Sequence, residues 1–306
     1  MAHADKPLND GAMDSRLLIS LGLNVVITVA EVIGGLMAGS LALLADAAHN
    51  LSDVAALGLA VGARRLGRRP PTLRHTYGFK RAEVIAALTN ATTLVAVTAL
   101  IARSAIARLQ HPVPVDRGLM LAVALVALGA NAGSVLLLRH HDTRDVNVRS
   151  AFLHLAQDAL ASLAVVVAAL LAGTPFGLYL DPLAALLVGA VVLRGALLLV
   201  WETMMTLLEA TPAGVDLDAL VASVADRFSP ARIHHVHLWE IAPGQRLLTA
   251  HVDLGQEMDG HGIEALFGRI KAMLNQEWGV NHATLEPEVF GCGNGDTLGR
   301  WEDFHC

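Results

Sequence analysis

Six apolar segments, each near the length that a helix needs to cross a bilayer, occupy most of the first 209 of the 306 residues. A transmembrane helix takes about 20 apolar residues. Charged residues are 16% of the chain, against about 25% in soluble domains, which excludes an ordinary soluble enzyme and a disordered chain. We therefore predict an α-helical membrane protein with a polar N-terminal segment, 1–14, and a six-helix transmembrane domain, 15–209. The six spans are placed at about 15–38, 41–63, 81–106, 117–138, 149–172 and 180–205.

The basic residues of the connections predict the orientation in the membrane. Most of them lie between spans 2 and 3 or between spans 4 and 5, whereas the other side of the bilayer has only Arg108 and Arg117. Basic connections remain in the cytoplasm. We expect a multi-pass protein of a bacterial inner membrane, with both termini cytoplasmic. The basic residues that carry this prediction are Arg64, Arg65, Arg68, Arg69, Arg74, Lys80, Arg81, Arg139, Arg144 and Arg149.

Residues 210–306 have a different character. They hold 6 Lys and Arg against 14 Asp and Glu, whereas residues 1–209 hold 16 against 14. Their periodicity predicts a helix, two strands, a helix and a third strand, which is an αββαβ sandwich over 210–290. The glycine-rich stretch 291–306 is predicted to be a flexible tail. The acidic balance gives no sign of a nucleic-acid surface, and two cysteines, Cys292 and Cys306, exclude a disulfide framework.

Two pairs of ionisable residues interrupt the spans. His49 and Asp53 lie in span 2, and His154 and Asp158 lie in span 5, each pair spaced i, i+4 on one helix face. Ionisable groups inside a membrane are costly and mark functional sites. If the two faces meet, two imidazole nitrogens and two carboxylates form a tetrahedral set that suits zinc. Calcium and magnesium prefer oxygen alone, and Cu(I) prefers sulfur.

The charge of this set allows metal and protons to alternate. Zn²⁺ with two aspartates and two neutral histidines sums to zero, and so do two imidazolium ions with two aspartates. Either state avoids a net charge in a low-dielectric site. Because histidine titrates near neutral pH, protons compete with metal there. The ligands therefore permit metal–proton exchange without fixing its stoichiometry.

Other intramembrane polar residues leave alternatives open. Asp46 shares the face of His49 and Asp53, so it is a proton relay, an accessory ligand or a hydrogen-bond partner of a neighbouring helix. For Glu31, Arg103 and Arg194 we favour structural roles, such as a long side chain that reaches the interface.

Three segments carry a resemblance to a known family. They are SLALLADAAHNLSD (40–53), HTYGFKRAE (75–83) and NVRSAFLHLAQD (147–158). Together they resemble the cation diffusion facilitators, over about 12–290, and most closely the zinc-type bacterial branch. The resemblance implies a six-span transport domain, a cytoplasmic ferredoxin-like domain, a homodimer, and efflux of divalent metal against protons. The transport ligands that it implies are His49, Asp53, His154 and Asp158.

Half of the 14 histidines fall in residues 210–306. Histidines and carboxylates on adjacent strands can bind a regulatory zinc ion, although single histidines are more often exposed or packed. The family resemblance implies His234, His251 and His282 as ligands, with Glu286 as a fourth and His261 from the second helix. Strand parity complicates this assignment, because His234 alternates with Val236 and Leu238 on the expected core face.

We therefore predict an antiporter that exports Zn²⁺ in exchange for H⁺, with Cd²⁺ or Co²⁺ as further substrates. No catalytic residue and no catalytic cofactor are predicted; zinc is the substrate and a regulatory ligand. A membrane metalloenzyme is disfavoured because the sequence has no HExxH motif. A membrane-bound zinc sensor or buffer that binds without transport is the alternative.

Overall fold

The computed structural model describes residues 10–138, 146–289 and 297–298 of the chain. Several metal-binding candidates of the termini and the connection between spans 4 and 5 (His3, His140, His141, Cys292, His305 and Cys306) lie outside these ranges. The chain divides into two compact units, Met1–Val61 with Thr89–Val200, and Gly62–Leu88 with Trp201–Cys306.

Six long helices coincide with the six predicted spans. Most extend a few residues beyond the apolar stretch, because polar residues can continue a helix that packing has already fixed. Within the described residues, three stretches are long and apolar enough to cross a membrane, namely Ala82–Gln110, Phe152–Leu171 and Gly177–Leu207. The helices are α1 Asp10–Ala38, α2 Leu41–Gly67, α3 Ala82–Gln110, α4 Arg117–Leu138, α5 Val146–Leu171 and α6 Gly177–Leu207.

The first unit packs through small and branched apolar side chains. Its buried core includes Leu43 of α2, Met120 of α4, Val165 of α5 and Val188 of α6. Helices α1 and α4 approach closely at Gly34, where an added Cβ would lie 2.6 Å from Cγ2 of Val123. Small residues at such crossings let helix backbones come together in membrane proteins.

A buried carboxylate holds the N-terminus of α2. Asp181 of α6 accepts hydrogen bonds from the backbone N–H of Leu41 at 2.9 Å and of Ala42 at 3.2 Å, and from Oγ of Ser40 at 2.6 Å. Oγ of Ser40 accepts from the N–H of Leu43 at 3.1 Å. The first N–H groups of a helix have no partner within it. Asp181 and Ser40 therefore satisfy the groups that open α2, the helix that carries His49 and Asp53.

Arg108 of α3 balances the charge of this carboxylate. Its Nη1 lies 3.6 Å from Oδ2 of Asp181 and also donates to the carbonyl oxygen of Gly39. Gly39 has a φ of +66°, the left-handed conformation that ends α1. The turn between α1 and α2 is thus fixed from both α3 and α6.

The second unit contains the predicted αββαβ order as α7 Leu217–Phe228, β1 Arg232–Ala242, β2 Gln245–Asp253, α8 Gly260–Trp278 and β3 Val280–Glu288. The sheet order is β1-β2-β3, with β2 antiparallel to β1 and parallel to β3. Side chains of both helices and all three strands form one buried core, including Leu220, Leu248, Val252, Ile270 and Leu274.

Local capping residues define the ends of these two helices. The side chains of Asp216 and Asp259 accept from the N–H groups of Ala219 and Gly262, at the starts of α7 and α8. In the same unit, Arg81 forms an ion pair with Glu209 between the α2–α3 connection and the segment after α6. As an exposed pair it contributes little to stability.

Replacement of Asp181 by alanine should destabilise the first unit. It removes the acceptor of three hydrogen bonds and leaves the N-terminus of α2 and Arg108 unpaired, at a cost of about 2–4 kcal/mol. The matched control is Asp116→Ala, because Asp116 accepts from the N–H groups of Gly118 and Leu119 at an exposed helix start, where a cap contributes about 1 kcal/mol. Thermal unfolding in detergent measures both. Equal melting temperatures for the two variants would contradict this role of Asp181.

Candidate metal centre

Helices α2 and α5 bring the four predicted transport ligands together. The i, i+4 spacing places two of them on one face of each helix, and the two faces meet. The imidazole rings of the two histidines are 5.7 Å apart between centroids and nearly perpendicular. We call this group the helix cluster; it consists of His49, Asp53, His154 and Asp158.

Nitrogen and oxygen atoms alternate around the helix cluster. Nε2 of His49 lies 3.2 Å from Oδ1 of Asp158 and 3.9 Å from Oδ2 of Asp53. Nε2 of His154 lies 3.2 Å from Oδ2 of Asp53 and 3.7 Å from Oδ2 of Asp158. A tetrahedron with zinc–ligand bonds of about 2.0–2.2 Å has edges of about 3.3–3.6 Å. The four observed separations of 3.2–3.9 Å bracket that edge. Asp158 contributes Oδ1 to one separation and Oδ2 to another, so its carboxylate must turn before a single oxygen joins the other three ligand atoms around one ion.

One ligand atom of the helix cluster is buried and has a lone pair that accepts no hydrogen bond within the ranges that the structure describes. Among the described residues, His49, Asp53 and His154 form a group whose ligand atoms all lie within 4.8 Å of one another, and Asp158 is not part of that group. Oδ2 of Asp53 is buried and accepts no hydrogen bond from the described part of the chain. The side chain of Asp158 is 4% exposed and that of His154 is 47% exposed. Within the helix cluster, Asp158 is therefore buried and His154 is the most exposed member.

Asp46 forms a hydrogen bond to a neighbouring helix, which is one of the three roles expected for it. Its Oδ2 accepts from Oγ of Ser162 on α5 at 3.0 Å. Nδ2 of Asn131 on α4 in turn donates to Oγ of Ser162 at 3.1 Å. This polar chain joins α2, α4 and α5 beside the helix cluster. Ser162 lies four residues after Asp158, a spacing that in hindsight marks the same face of α5.

Glu31 of α1 also lies in this polar region. It is fully buried, and its Oε2 accepts from Nδ2 of Asn50 on α2 at 2.8 Å. The sequence favoured a structural role for Glu31, and Asn50 was not singled out at all. Asn50 follows His49 directly and lies one helical turn from Asp46, so helical periodicity was the signal that could have found it.

A second cluster forms on the sheet of the other unit, and it differs from the set that the sequence suggested. Glu288 binds two histidines, with Oε2 at 2.9 Å from Nε2 of His234 and Oε1 in contact with Nδ1 of His251. The rings of His234, His235 and His251 lie 4.9–5.5 Å apart between centroids. We call this group the sheet cluster; it consists of His234, His235, His251 and Glu288.

A β-bulge explains why strand parity failed for this cluster. The pairs His234↔His251 and His237↔Thr249 leave two residues of β1 opposite one residue of β2. His235 takes a φ of +47° at the bulge, so both His234 and His235 are buried. The N–H of Val236 donates to the carbonyl oxygen of Thr297 at 2.8 Å. Alternation along β1 could not show that two successive histidines turn inward.

The remaining predicted ligands lie at the margin of the sheet cluster or apart from it. Oε2 of Glu286 is 3.9 Å from Nε2 of His251, and its side chain is 70% exposed. His282 is exposed and pairs with Leu247 in the register of β2 and β3, four residues before the pair His251↔Glu286. His261 is exposed in the first turn of α8. Glu288, which the sequence did not suggest, takes the bridging position instead; it lies two residues after Glu286 on the same strand face.

Comparison with known proteins assigns a family to this arrangement. Residues 17–208 match the model of the cation efflux transmembrane domain. The zinc transporter ZitB of Escherichia coli is 37% identical, with 96% of this chain and 94% of the relative aligned. The cadmium, cobalt and zinc/H(+)-K(+) antiporter of Bacillus velezensis is 30% identical, with 94% and 92% aligned. The metal cation efflux system protein CzcD of Cupriavidus metallidurans is 32% identical, with 94% and 90% aligned. The chain therefore belongs to the cation efflux family, the cation diffusion facilitators, and is a multi-pass membrane protein.

Proposed function

We propose that this protein exports zinc from the cytoplasm in exchange for protons, through the helix cluster. The observation that carries the proposal is the closed ring of two imidazole nitrogens and two carboxylates on α2 and α5, with separations near a tetrahedral edge. The E. coli relative is named a zinc transporter, and the B. velezensis relative is named as exchanging metal for H⁺ and K⁺.

The same donor set supports a wider range of metals. Imidazole and carboxylate ligands bind several first-row divalent ions, and geometry and availability decide among them. The B. velezensis relative is named for cadmium and cobalt as well as zinc. We propose zinc as the main substrate, with Cd²⁺ and Co²⁺ as further substrates.

Exchange follows from the charge of the helix cluster. With both histidines neutral and both aspartates ionised, the four side chains carry a charge of −2, which one divalent ion neutralises. Without metal, the contacts between each imidazole and the carboxylates are best satisfied when the rings are protonated. Protons that reach His49 and His154 therefore weaken metal binding, and metal that binds displaces protons. Half-exposed His154 is the first group that an incoming ion or proton meets.

We further propose the architecture in which this exchange takes place. All six long helices cross the bacterial cytoplasmic membrane, and the basic α2–α3 connection and both termini lie in the cytoplasm, in line with the positive-inside rule. The αββαβ unit is a ferredoxin-like cytoplasmic domain, and two copies of the chain form a homodimer. The family membership and the order of α7, β1, β2, α8 and β3 support this arrangement.

The sheet cluster is proposed as a regulatory zinc site. Its three histidines and Glu288 offer the ligand types of a zinc site. Glu288 links β3 to β1 and β2, so zinc binding there would alter how the strand ends are held. This revises the sequence-based set: His234 and His251 remain, His235 and Glu288 are added, and His261, His282 and Glu286 become peripheral. The same cluster supports the alternative function, a membrane-bound zinc sensor or buffer, which flux measurements separate from a carrier.

Replacement of Asp158 by alanine should abolish zinc transport. The change removes one of the four proposed ligands. Loss of a residue that only hydrogen-bonds to a ligand already lowers metal affinity by about 10–100-fold, so zinc affinity should fall by more than about 100-fold in this variant. Zinc uptake into sealed proteoliposomes under an imposed pH gradient measures it. Asp116→Ala, at an exposed helix start, is the transport control and should resemble the wild type. Normal flux in Asp158→Ala would reject the site, and zinc binding without flux in the wild type would favour the sensor.

Zinc affinity at the helix cluster should fall as the pH is lowered. As the pH falls, each histidine that must lose a proton before it binds zinc reduces the apparent affinity by up to about tenfold per pH unit, so two histidines give up to about 100-fold per pH unit. Competition with a zinc-selective fluorescent chelator, between about pH 5 and pH 8, measures this slope. An apparent affinity that does not change over this range would show that protons do not compete for the site.

Zinc binding by the sheet cluster should depend on Glu288 rather than on Glu286. In an Asp158→Ala background, which silences the helix cluster, Glu288→Gln should weaken the remaining zinc binding by at least about tenfold. Glu286→Gln is the matched control, because Glu286 is 3.9 Å from His251 and largely exposed. Equilibrium dialysis gives both affinities. A loss in Glu286→Gln with none in Glu288→Gln would restore the sequence-based assignment.

A further inference from the structure

Three buried oxygen atoms beside the helix cluster have no hydrogen-bond donor among the described residues. They are Oε1 of Glu31 on α1 and Oδ1 of both Asp46 and Asn50 on α2. The three residues are 0%, 1% and 1% exposed. Buried polar atoms without partners are rare in native structures and need an explanation. We call these atoms the oxygen triad.

The other polar atom of each of these side chains is already bonded, which restrains the side chain that carries the free oxygen. Nδ2 of Asn50 donates to Oε2 of Glu31 at 2.8 Å, and Oδ2 of Asp46 accepts from Ser162 at 3.0 Å. The carboxyl groups of Glu31 and Asp46 interact with each other. Asp46 and Asn50 are one helical turn apart on the same face of α2. The three free oxygens thus belong to a fixed and compact set of side chains.

The oxygen triad also lacks a compensating charge. Among the described residues, no nitrogen of Lys, Arg or His lies within 4.0 Å of the carboxylate of Glu31 or Asp46, although other carboxylates of the bundle have such partners. The bonded partners Asn50 and Ser162 are neutral. The nearest ionisable groups are His49 on α2 and Asp158 on α5, and the latter adds negative charge. Two adjacent buried carboxylates are strongly unfavourable unless positive charge is present.

We propose that the oxygen triad binds a monovalent cation, a proton or an alkali ion, at a site distinct from the helix cluster. A cation among the three oxygens would supply each with its missing partner and would reduce the buried negative charge. The donors are oxygen alone, which suits hard cations, whereas the helix cluster mixes nitrogen and oxygen. Calcium and magnesium need six or more oxygen ligands, and an alkali ion here would likewise need ligands beyond these three oxygens, whereas a proton needs only one or two of them.

The position of the oxygen triad suggests how it serves transport, a step that rests on the proposed exchange of zinc for protons. Asp46, His49, Asn50 and Asp53 all lie within two turns of α2. A movement of α2 that alters the helix cluster therefore also alters the distance between Glu31 and the other two members of the triad. Two ligands that favour different positions of the same helix are coupled, and the coupling is reciprocal.

Thermal unfolding of the full-length protein in detergent tests cation binding without any need for transport. A ligand that binds the folded state raises the melting temperature. We compare wild type with Glu31→Gln, an isosteric change that removes the charge, and with Asp46→Asn as a second variant. Thr28→Val is the matched control, because Thr28 is a buried polar residue of α1 whose Oγ1 donates to the carbonyl oxygen of Asn24 within the helix.

The two occupants predict different dependences of the melting temperature. If the occupant is an alkali ion, we expect Na⁺ or K⁺ added in place of choline, at constant ionic strength, to raise the melting temperature of wild type and Thr28→Val. The melting temperatures of Glu31→Gln and Asp46→Asn should not rise. If the occupant is a proton, a lower pH should raise the melting temperature of wild type relative to that of Glu31→Gln. Alkali ions should then change the melting temperatures of the two proteins equally. Identical responses of wild type and Glu31→Gln to both treatments would overturn the proposal.

Flux measurements then test the link to transport. In proteoliposomes, a gradient of the occupant should accelerate zinc flux by wild type and by Thr28→Val. Glu31→Gln should still bind zinc, but the gradient should no longer accelerate its zinc flux. Retention of that acceleration in Glu31→Gln would overturn the coupling role. Absence of gradient-driven flux in the wild type would instead contradict the proposed antiport, while the melting data would still decide whether the oxygen triad binds a cation.

Discussion

The cost of unpaired charge in an apolar helix bundle governs the organisation of the first unit. A buried carboxylate must acquire a counter-charge or hydrogen-bond donors, since lipid offers neither. Asp181 obtains backbone N–H groups and Arg108. Asp53 and Asp158 obtain the two imidazoles of the helix cluster. Glu31 and Asp46 obtain only neutral donors, Asn50 and Ser162. The first arrangement holds the bundle together, whereas we propose that the second exchanges its positive charge for a metal ion and that the third binds a cation.

These three arrangements share helix α2. Its N-terminus is fixed to α6 through Asp181, and one face of its middle turns faces α5 through His49 and Asp53. Asp46 and Asn50 meet α5 and α1 from the same stretch of helix. A rigid α2 therefore positions metal ligands and the oxygen triad together. This is the structural basis on which metal and counter-ion binding would be coupled, because neither group can move without the other.

The sequence predicted the features that depend on spacing along one element. The two residues of each His–Asp pair share one helix face, as their i, i+4 spacing indicated, and the αββαβ order follows the predicted periodicity. Prediction from the sequence failed where the outcome depends on irregular backbone or on contacts between elements. The bulge at His235 inverts the expected parity of β1, and Glu288 reaches His234 only because β3 lies beside β2. The meeting of Glu31 with Asp46 depends on how α1 packs, which periodicity does not determine.

We propose that zinc and protons move in opposite directions through one set of four side chains. Simultaneous recording of zinc and proton fluxes in the same sealed vesicles tests it most directly, with His154→Ala beside the wild type, because His154 belongs to the helix cluster and is its most accessible member. Zinc movement in one direction should drive proton movement in the other, and both fluxes should disappear together in the variant. Zinc flux without any counter-movement of protons, or coupled fluxes that persist in His154→Ala, would contradict it.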